Sequence, residues 1–266
     1  MRVDYESSAK EFLELASHQR LSIIFNLKEK KSKMSAMAKQ LGATPQEVSR
    51  NFDRLVKAGL VVKDKDGLYD LSTFGKAICT HVPSLVFLSQ NHKYFEKHNF
   101  DGIPLKFIQR IGALVRGQPT KGFVKVHEHW RTIYEDANEY VYNVLSELPL
   151  DLIELGIAKA KKNVKISNVF SEKMIVPKGR KQLLEKHDLK QLINDGKIER
   201  KMQKDVKTVI VLNEKEACIS FPSLDGESDL SMAFVSDDVP FHEWCLDYFR
   251  YCLYNSSSFR ESKLEE

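Results

Sequence analysis

Apolar positions recur at three- and four-residue steps through residues 9–28. Phe12, Leu15, Ala16, Ile23, Ile24 and Leu27 predict one amphipathic helix there. The lysine-rich KEKKSK that follows reads as a loop, its charges serving either a solvated turn or phosphate contacts. In MSAMAKQLG, Met34, Met37, Ala38 and Leu41 form one apolar face, and Gly42 stops a short helix. The next helix starts with strong capping chemistry. Thr44 can accept from the backbone, Pro45 needs no N–H at the first position, and Glu47 completes a capping box. Val48, Phe52, Leu55 and Val56 are expected on its core face, leaving Gln46, Ser49, Arg50, Arg54 and Lys57 outside. Alternation then predicts a hairpin: Leu60 to Lys63 going out, Asp66-Gly67 turning, and Leu68 to Leu71 returning. A further helix starts at Thr73.

Two helices joined by a tight turn and followed by a hairpin predict a winged helix-turn-helix. In such a unit the capped helix enters the major groove with its N-terminal half near base edges. Arg50 then suits guanine O6/N7 and Gln46 suits adenine N6/N7, with Ser49 beside them. Arg54 and Lys57 suit phosphates, as do Lys63 and Lys65 of the hairpin. Residues 9–78 resemble the ArsR/MarR-type winged helix of bacteria and archaea. TPQEVSRNFDRLVKAGLV is similar to that family's recognition helix and LSTFGKAI to its post-wing helix. Metal-sensing members use Cys or His pairs near these helices; residues 32–60 contain neither, so no metal site is expected.

Beyond residue 80 the pattern is mixed. Residues 81–99 read as a connecting helix or linker interrupted by Pro83, suited to pairing with a second copy or to packing on the chain's own second domain. From 100 to 255 helical and strand-like stretches mix, as in an α/β domain. IPLKFIQRIGALV is expected to be helical, and Phe123 to Val126 a strand. Residues 129–147, 149–160 and 178–194 read as helices. NVKISNVF, KTVIVL, EACISF and LSMAFV read as strands, and FHEWCLDYFRYCLYN as a closing helix. Residues 256–266 read as a frayed polar tail. Over most of residues 100–255 the chain resembles the sensor domain of the archaeal methanogenesis-regulator family. The likeness is carried by IPLKFIQRIGAL, VIVLNEKEACISFPSLDGESDLSMAFVSDD and PFHEWCLDYFRYCLYN. The last segment is also similar to sugar-responsive archaeal regulators whose effector domain has a phospholipase-D-like fold. These resemblances imply an effector-sensing domain. The fold class expected is therefore α+β: a winged helix over 1–80 and an α/β effector domain over 100–255, phospholipase-D-like without that fold's active site.

Charge sharpens this picture. The net charge is +4. Residues 1–80 hold 14 Lys+Arg against 10 Asp+Glu, so the whole surplus lies there, where a phosphate backbone would dock. Residues 159–207 hold 15 Lys+Arg against 6 Asp+Glu, and residues 216–249 hold 8 acids and no Lys or Arg. Either the basic stretch attracts an anionic effector, or the two stretches are solvated or mutually facing surfaces. The charged start MRVDYESSAKEF lacks an apolar signal region, and no run of apolar residues is long enough for a membrane span. The four cysteines lack CxxC spacing and are expected as reduced, buried thiols in the cytoplasm.

Catalytic motifs are missing. A phospholipase-D site needs a His-x-Lys pair, and no HxK occurs; nor does GxSxG, GxxxxGK[ST] or GxGxxG. His127 and His129 would share one face of a strand, as a metal pair can, without an evident third ligand. Surface or hydrogen-bonded histidines are the favoured reading of that pair. Buried aromatics, with Trp130, Phe241, Trp244 and Tyr248 as candidates, can still enclose a sensor pocket. The chain is thus expected to be a cytoplasmic, ligand-responsive regulator that binds double-stranded DNA as a homodimer, with no cofactor and no membrane partner. A protein-interaction module using the same winged helix is the alternative, and an enzyme comes third.

Overall fold

The computed structural model describes residues 4–187 and 189–264. The chain divides into two compact units, Met1–Pro83 and Ser84–Glu266. The first contains α1 (Tyr5–Leu15), α2 (His18–Glu29), β1 (Ser32–Lys33), α3 (Met34–Leu41), α4 (Pro45–Lys57), β2 (Val61–Lys63) and β3 (Leu68–Leu71). Its three strands form an antiparallel sheet in the order β1-β3-β2. Ile23, Ile24, Leu27, Met37, Val48, Phe52, Leu55, Leu60, Val61 and Leu71 fill one core. The single helix expected over 9–28 is two. The Ser17 hydroxyl caps α2 by accepting from Arg20 N–H, an extended conformation that breaks the helix. Phe12, on the separated α1, is consequently 59% exposed. Part of the expected KEKKSK loop is β1, which adds a third strand beside β3.

α5 (Thr73–Gln90) runs through Pro83, which was expected to interrupt it. A proline in a helix removes a single hydrogen bond, and Val82 and Phe87, on either side of it, are both buried. The chain continues with α6 (His92–Phe95), α7 (Leu105–Gln109) and a 3-10 turn Ile111–Leu114, so IPLKFIQRIGALV is two short pieces and not one helix. Then follow β4 (Gln118–Lys121), α8 (Phe123–Asp136), β5 (Tyr140–Glu147), α9 (Leu150–Lys161), β6 (Lys165–Ile175), α10 (Arg180–Lys186), α11 (Leu189–Asn194), β7 (Ile198–Gln203), β8 (Val209–Asn213), β9 (Ala217–Ser220), β10 (Met232–Ser236), α12 (Val239–Tyr254) and β11 (Ser257–Ser258).

The second unit is an eight-stranded sheet, β11-β7-β6-β5-β8-β9-β10-β4, with helices on both faces. β5, β6 and β7 are parallel neighbours and the other pairings are antiparallel. Alternation assigns each strand residue to a face. Val209 and Val211 join α8 and α9 in one core, while Ile210 and Leu212 join α12, Phe87 and Phe107 in the other. This double coverage explains why one strand differs from expectation. β5 was expected inside a helix over 129–147, because a strand buried on both faces lacks a polar alternation. Phe123 to Val126, expected as a strand, opens α8. The strand β7, IERKMQ, was not anticipated, since four of its six residues are polar. Residues 256–264 were expected to fray but contain β11, paired with β7, and a 3-10 turn Glu261–Lys263. All four cysteines are buried. Among the described residues no helix is long and apolar enough to cross a membrane.

Candidate nucleic-acid interface

α4 is fixed at its start by reciprocal bonds. Glu47 N–H donates to Thr44 Oγ1 (3.3 Å) while Thr44 N–H and Oγ1–H donate to Glu47 Oε2 (2.9 and 2.8 Å). These two Thr44 donors, backbone first, hold the Glu47 carboxyl below its ordinary value. Val48, Phe52 and Leu55 are buried, and the Phe52 ring stacks on Tyr69 of β3 at 3.9 Å. Val56 was expected in the core but is 41% exposed: it lies on the flank of the buried stripe. At the end of the hairpin, Ser72 N–H and Oγ–H close onto the Leu60 and Gly59 carbonyls (3.0 and 2.5 Å). Gly75 then packs against that backbone so tightly that a Cβ there would lie 2.0 Å from the Leu60 oxygen. Helix α4 and the hairpin are thereby held as one body.

The outer side of α4 carries Gln46 and Arg50, both exposed, and Ser49, half-buried. None of the three side chains has a hydrogen bond or ion pair among the described residues. Lys57 is likewise exposed and without an ion pair among them. Arg54 is different. Its guanidinium forms a bidentate pair with Glu14 of α1, Nε to Oε2 at 2.9 Å and a second N–H to Oε1 at 2.6 Å. Arg20, itself buried, reaches the same carboxylate at 3.0 Å. The Arg54 hydrogen bond outweighs the effect of burial and holds the Glu14 carboxyl low. The expected phosphate ligand Arg54 therefore joins α1 to α4.

The hairpin tip is shaped by Asp64, whose Oδ1 accepts from Asp66 N–H (3.0 Å) and Leu68 N–H (2.8 Å), with Gly67 at φ 77°. Lys63 pairs across the ladder with Tyr69, and its ammonium lies 5.3 Å from that ring's centre. It is exposed, on the same face of the strand as Val61 by period-two alternation. Lys65 sits exposed at the tip between Asp64 and Asp66. Lys31, just before β1, pairs with Asp70 at 3.4 Å.

The histidine pair of the second unit lies on α8, where residues two apart diverge around the helix. His127 Nε2 meets Asp151 Oδ1 at 3.2 Å. Among the described residues no group of three His, Cys, Asp or Glu could hold a metal ion. The aromatics expected to form a pocket are packed solid: Trp130 in one core, and Phe241, Trp244 and Tyr248 in the other.

No protein-family model matches the chain, and no curated protein matches it. Among solved structures, TrmBL2, an archaeal chromatin protein whose structure is described as showing a novel mode of DNA binding, aligns over 91% of this chain and 94% of its own. Identity is 10% and the TM-score 0.41. Nuc, a phospholipase D family member from Salmonella typhimurium, aligns over 55% of this chain and 100% of its own, at 12% identity and a TM-score of 0.41. IdeR of T. acidophilum aligns over 89% of this chain and 100% of its own, at 12% identity and a TM-score of 0.20. All three TM-scores fall below 0.5, so the functional reading rests on the interface residues themselves.

Proposed function

We propose that this chain is a ligand-responsive transcriptional regulator that binds double-stranded DNA through a winged helix formed by its first unit. The observation that carries the reading is the outer side of α4. A capped helix presents Gln46, Arg50 and Lys57, with half-buried Ser49 beside them, and among the described residues these side chains have no hydrogen bond or ion pair, on a body that concentrates the chain's positive charge. Arg50 and Gln46, in the first two turns, read base edges; Lys57 and Lys65 contact phosphates. The protein acts in the cytoplasm as a homodimer, so that two recognition helices meet two half-sites. The second unit is a phospholipase-D-like effector domain that senses and does not catalyse, since the chain has no His-x-Lys pair. Effector binding changes the spacing or mobility of the recognition helices.

The test is fluorescence anisotropy with random-sequence duplexes across salt. Each phosphate contact contributes about 0.9 to the slope of log affinity against log salt. A slope of roughly three or more is expected; a flat line overturns the reading. One observation favours a second reading, protein recognition by the same unit. The hairpin tip carries as many acids as lysines, and Val56, Val62 and Phe74 are exposed. An apolar protein interface would give the flat line.

A further inference from the structure

In the second unit, α9, β6, β7, α10 and α11 surround a cavity of about 50 Å³. Its walls are apolar, with Leu152, Ile157, Phe170 and Leu184 prominent. Two cations enter it, Arg180 from the start of α10 and Arg200 from β7. Arg180 is 5% exposed, a costly place for a guanidinium. Among the described residues each guanidinium makes one hydrogen bond, and both go to Glu261, whose side chain is half in solvent. Among the described residues one carboxylate thus answers two cations.

The rest of the cavity's polar lining has the same bias. Asn143 Nδ2 donates to Tyr134 Oη (3.0 Å) and to Asn168 Oδ1 (2.7 Å). Among the described residues, the Tyr134 hydroxyl proton and Asn168 Nδ2 have no acceptor. Asn143 Oδ1, buried beside them, has no donor among the described residues, so the cluster holds one free acceptor; the two arginines and the two free donors that line the cavity suit an acceptor-rich anion.

Glu261 belongs to a segment held by a short strand and a few side chains. β11 pairs Ser257 and Ser258 with β7, Ser257 Oγ–H and Arg260 N–H donate to the Met202 carbonyl and sulfur (3.2 and 3.3 Å), and Leu264, partly buried, packs on the core. Phe259 packs edge-on against Phe170 and under Arg200, whose guanidinium carbon is 4.1 Å from the ring centre. Arg260 and Lys263 reach Glu172 at 3.0 and 3.5 Å from exposed positions. Exposed pairs of this kind contribute little stability.

We propose that this cavity binds a small organic carboxylate with an apolar body, and that Glu261 holds the head-group position until the ligand displaces residues 259–264. The two guanidiniums take the ligand carboxylate, Asn168 and Tyr134 supply further donors, and the aliphatic walls of α9 and α11 cover the body. Loss of the Phe259 contact enlarges the space available. Calling this ligand the effector rests on the regulator reading; the binding chemistry does not.

The test uses the full chain without DNA, so its failure leaves the DNA-binding reading untouched. Calorimetric titration is made with benzoate, hexanoate, benzamide and inorganic phosphate, and amide hydrogen exchange is followed over residues 257–264. Benzoate or hexanoate is expected to bind, benzamide and phosphate not, with faster exchange in the segment. Glu261→Gln removes the built-in competitor and should tighten carboxylate binding about tenfold. Arg200→Gln should weaken it at least as much. Equal binding of benzamide, or of phosphate alone, overturns the proposal. So do a bound carboxylate that leaves segment exchange unchanged in the wild-type chain, and the absence of binding in both the wild-type chain and Glu261→Gln.

Discussion

Arg50 stands in water on α4 with no ion pair among the described residues, whereas Arg180 is almost wholly buried and faces Glu261. The contrast follows from the cost of a charge in each place. An exposed guanidinium keeps its hydration and can wait for a polyanion from outside, with long-range attraction to steer it. A buried guanidinium cannot wait unpaired, because desolvation would cost several kcal/mol, so the chain supplies a carboxylate of its own. Arg54 lies between these cases. Its head is exposed, yet Glu14 holds it in bidentate geometry and makes it a link between helices. Unpaired surface cations mark a docking face; paired buried ones mark a site whose occupant is already present.

The most damaging test of this contrast is Gly75→Ala. With the Leu60 carbonyl oxygen 2.0 Å and its carbon 3.0 Å from the new Cβ, both backbone atoms, the first unit should lose roughly 3 kcal/mol or more. Thermal melting should show one transition shifted and DNA affinity lost, while carboxylate binding to the second unit persists. A coincident loss of both activities would show that the units do not behave independently.

Arg50→Ala comes next. It should cost about 1–3 kcal/mol on a selected duplex and relax preference at one base position, without changing the melting curve. Equal weakening on all sequences would reassign Arg50 to phosphate. Glu14→Gln should release Arg54 toward the backbone, steepening the salt slope by about one contact while lowering the first unit's melting temperature. If the slope stays unchanged, Arg54 does not reach DNA even when released.

Acid should act on both pairs in the same direction. Glu14 and Glu261 are each held below the ordinary 4.5: Glu14 chiefly by its bond to Arg54, and Glu261, against the opposing effect of burial, by Arg180 and Arg200. A carboxyl depressed in the folded state contributes stability that is complete above its unfolded value. That contribution is lost as pH falls through the folded value. Melting temperature should therefore decline below about pH 5, and the decline should be shallower in Glu14→Gln and in Glu261→Gln. The smallest effect expected is at the hairpin. Lys65→Ala should lower the salt slope by about one, whereas Lys63→Ala should act mainly on stability through Tyr69.

Much of the first unit was legible because its signals are local. A capping box spans four residues, a helical face repeats within eleven, and a tight turn needs Asp-Gly at one place. Hence α3, α4, the hairpin and the exposure of Gln46, Arg50 and Lys57 could be read directly from residue order. In the second unit KTVIVL, EACISF, LSMAFV and the closing helix were readable for the same reason. What depended on tertiary structure was every property set by a distant partner. Glu14 and Arg54 are 40 residues apart, and their pairing converts an expected phosphate ligand into a brace. Coverage on both faces turns Tyr140–Glu147 into a strand. Glu261, read as part of a polar tail, meets Arg180 across 81 residues. Local spacing specifies which backbone hydrogen bonds a segment can make with itself. It does not specify which charge will be desolvated or which carboxylate will answer it, because both depend on the surfaces that folding brings together.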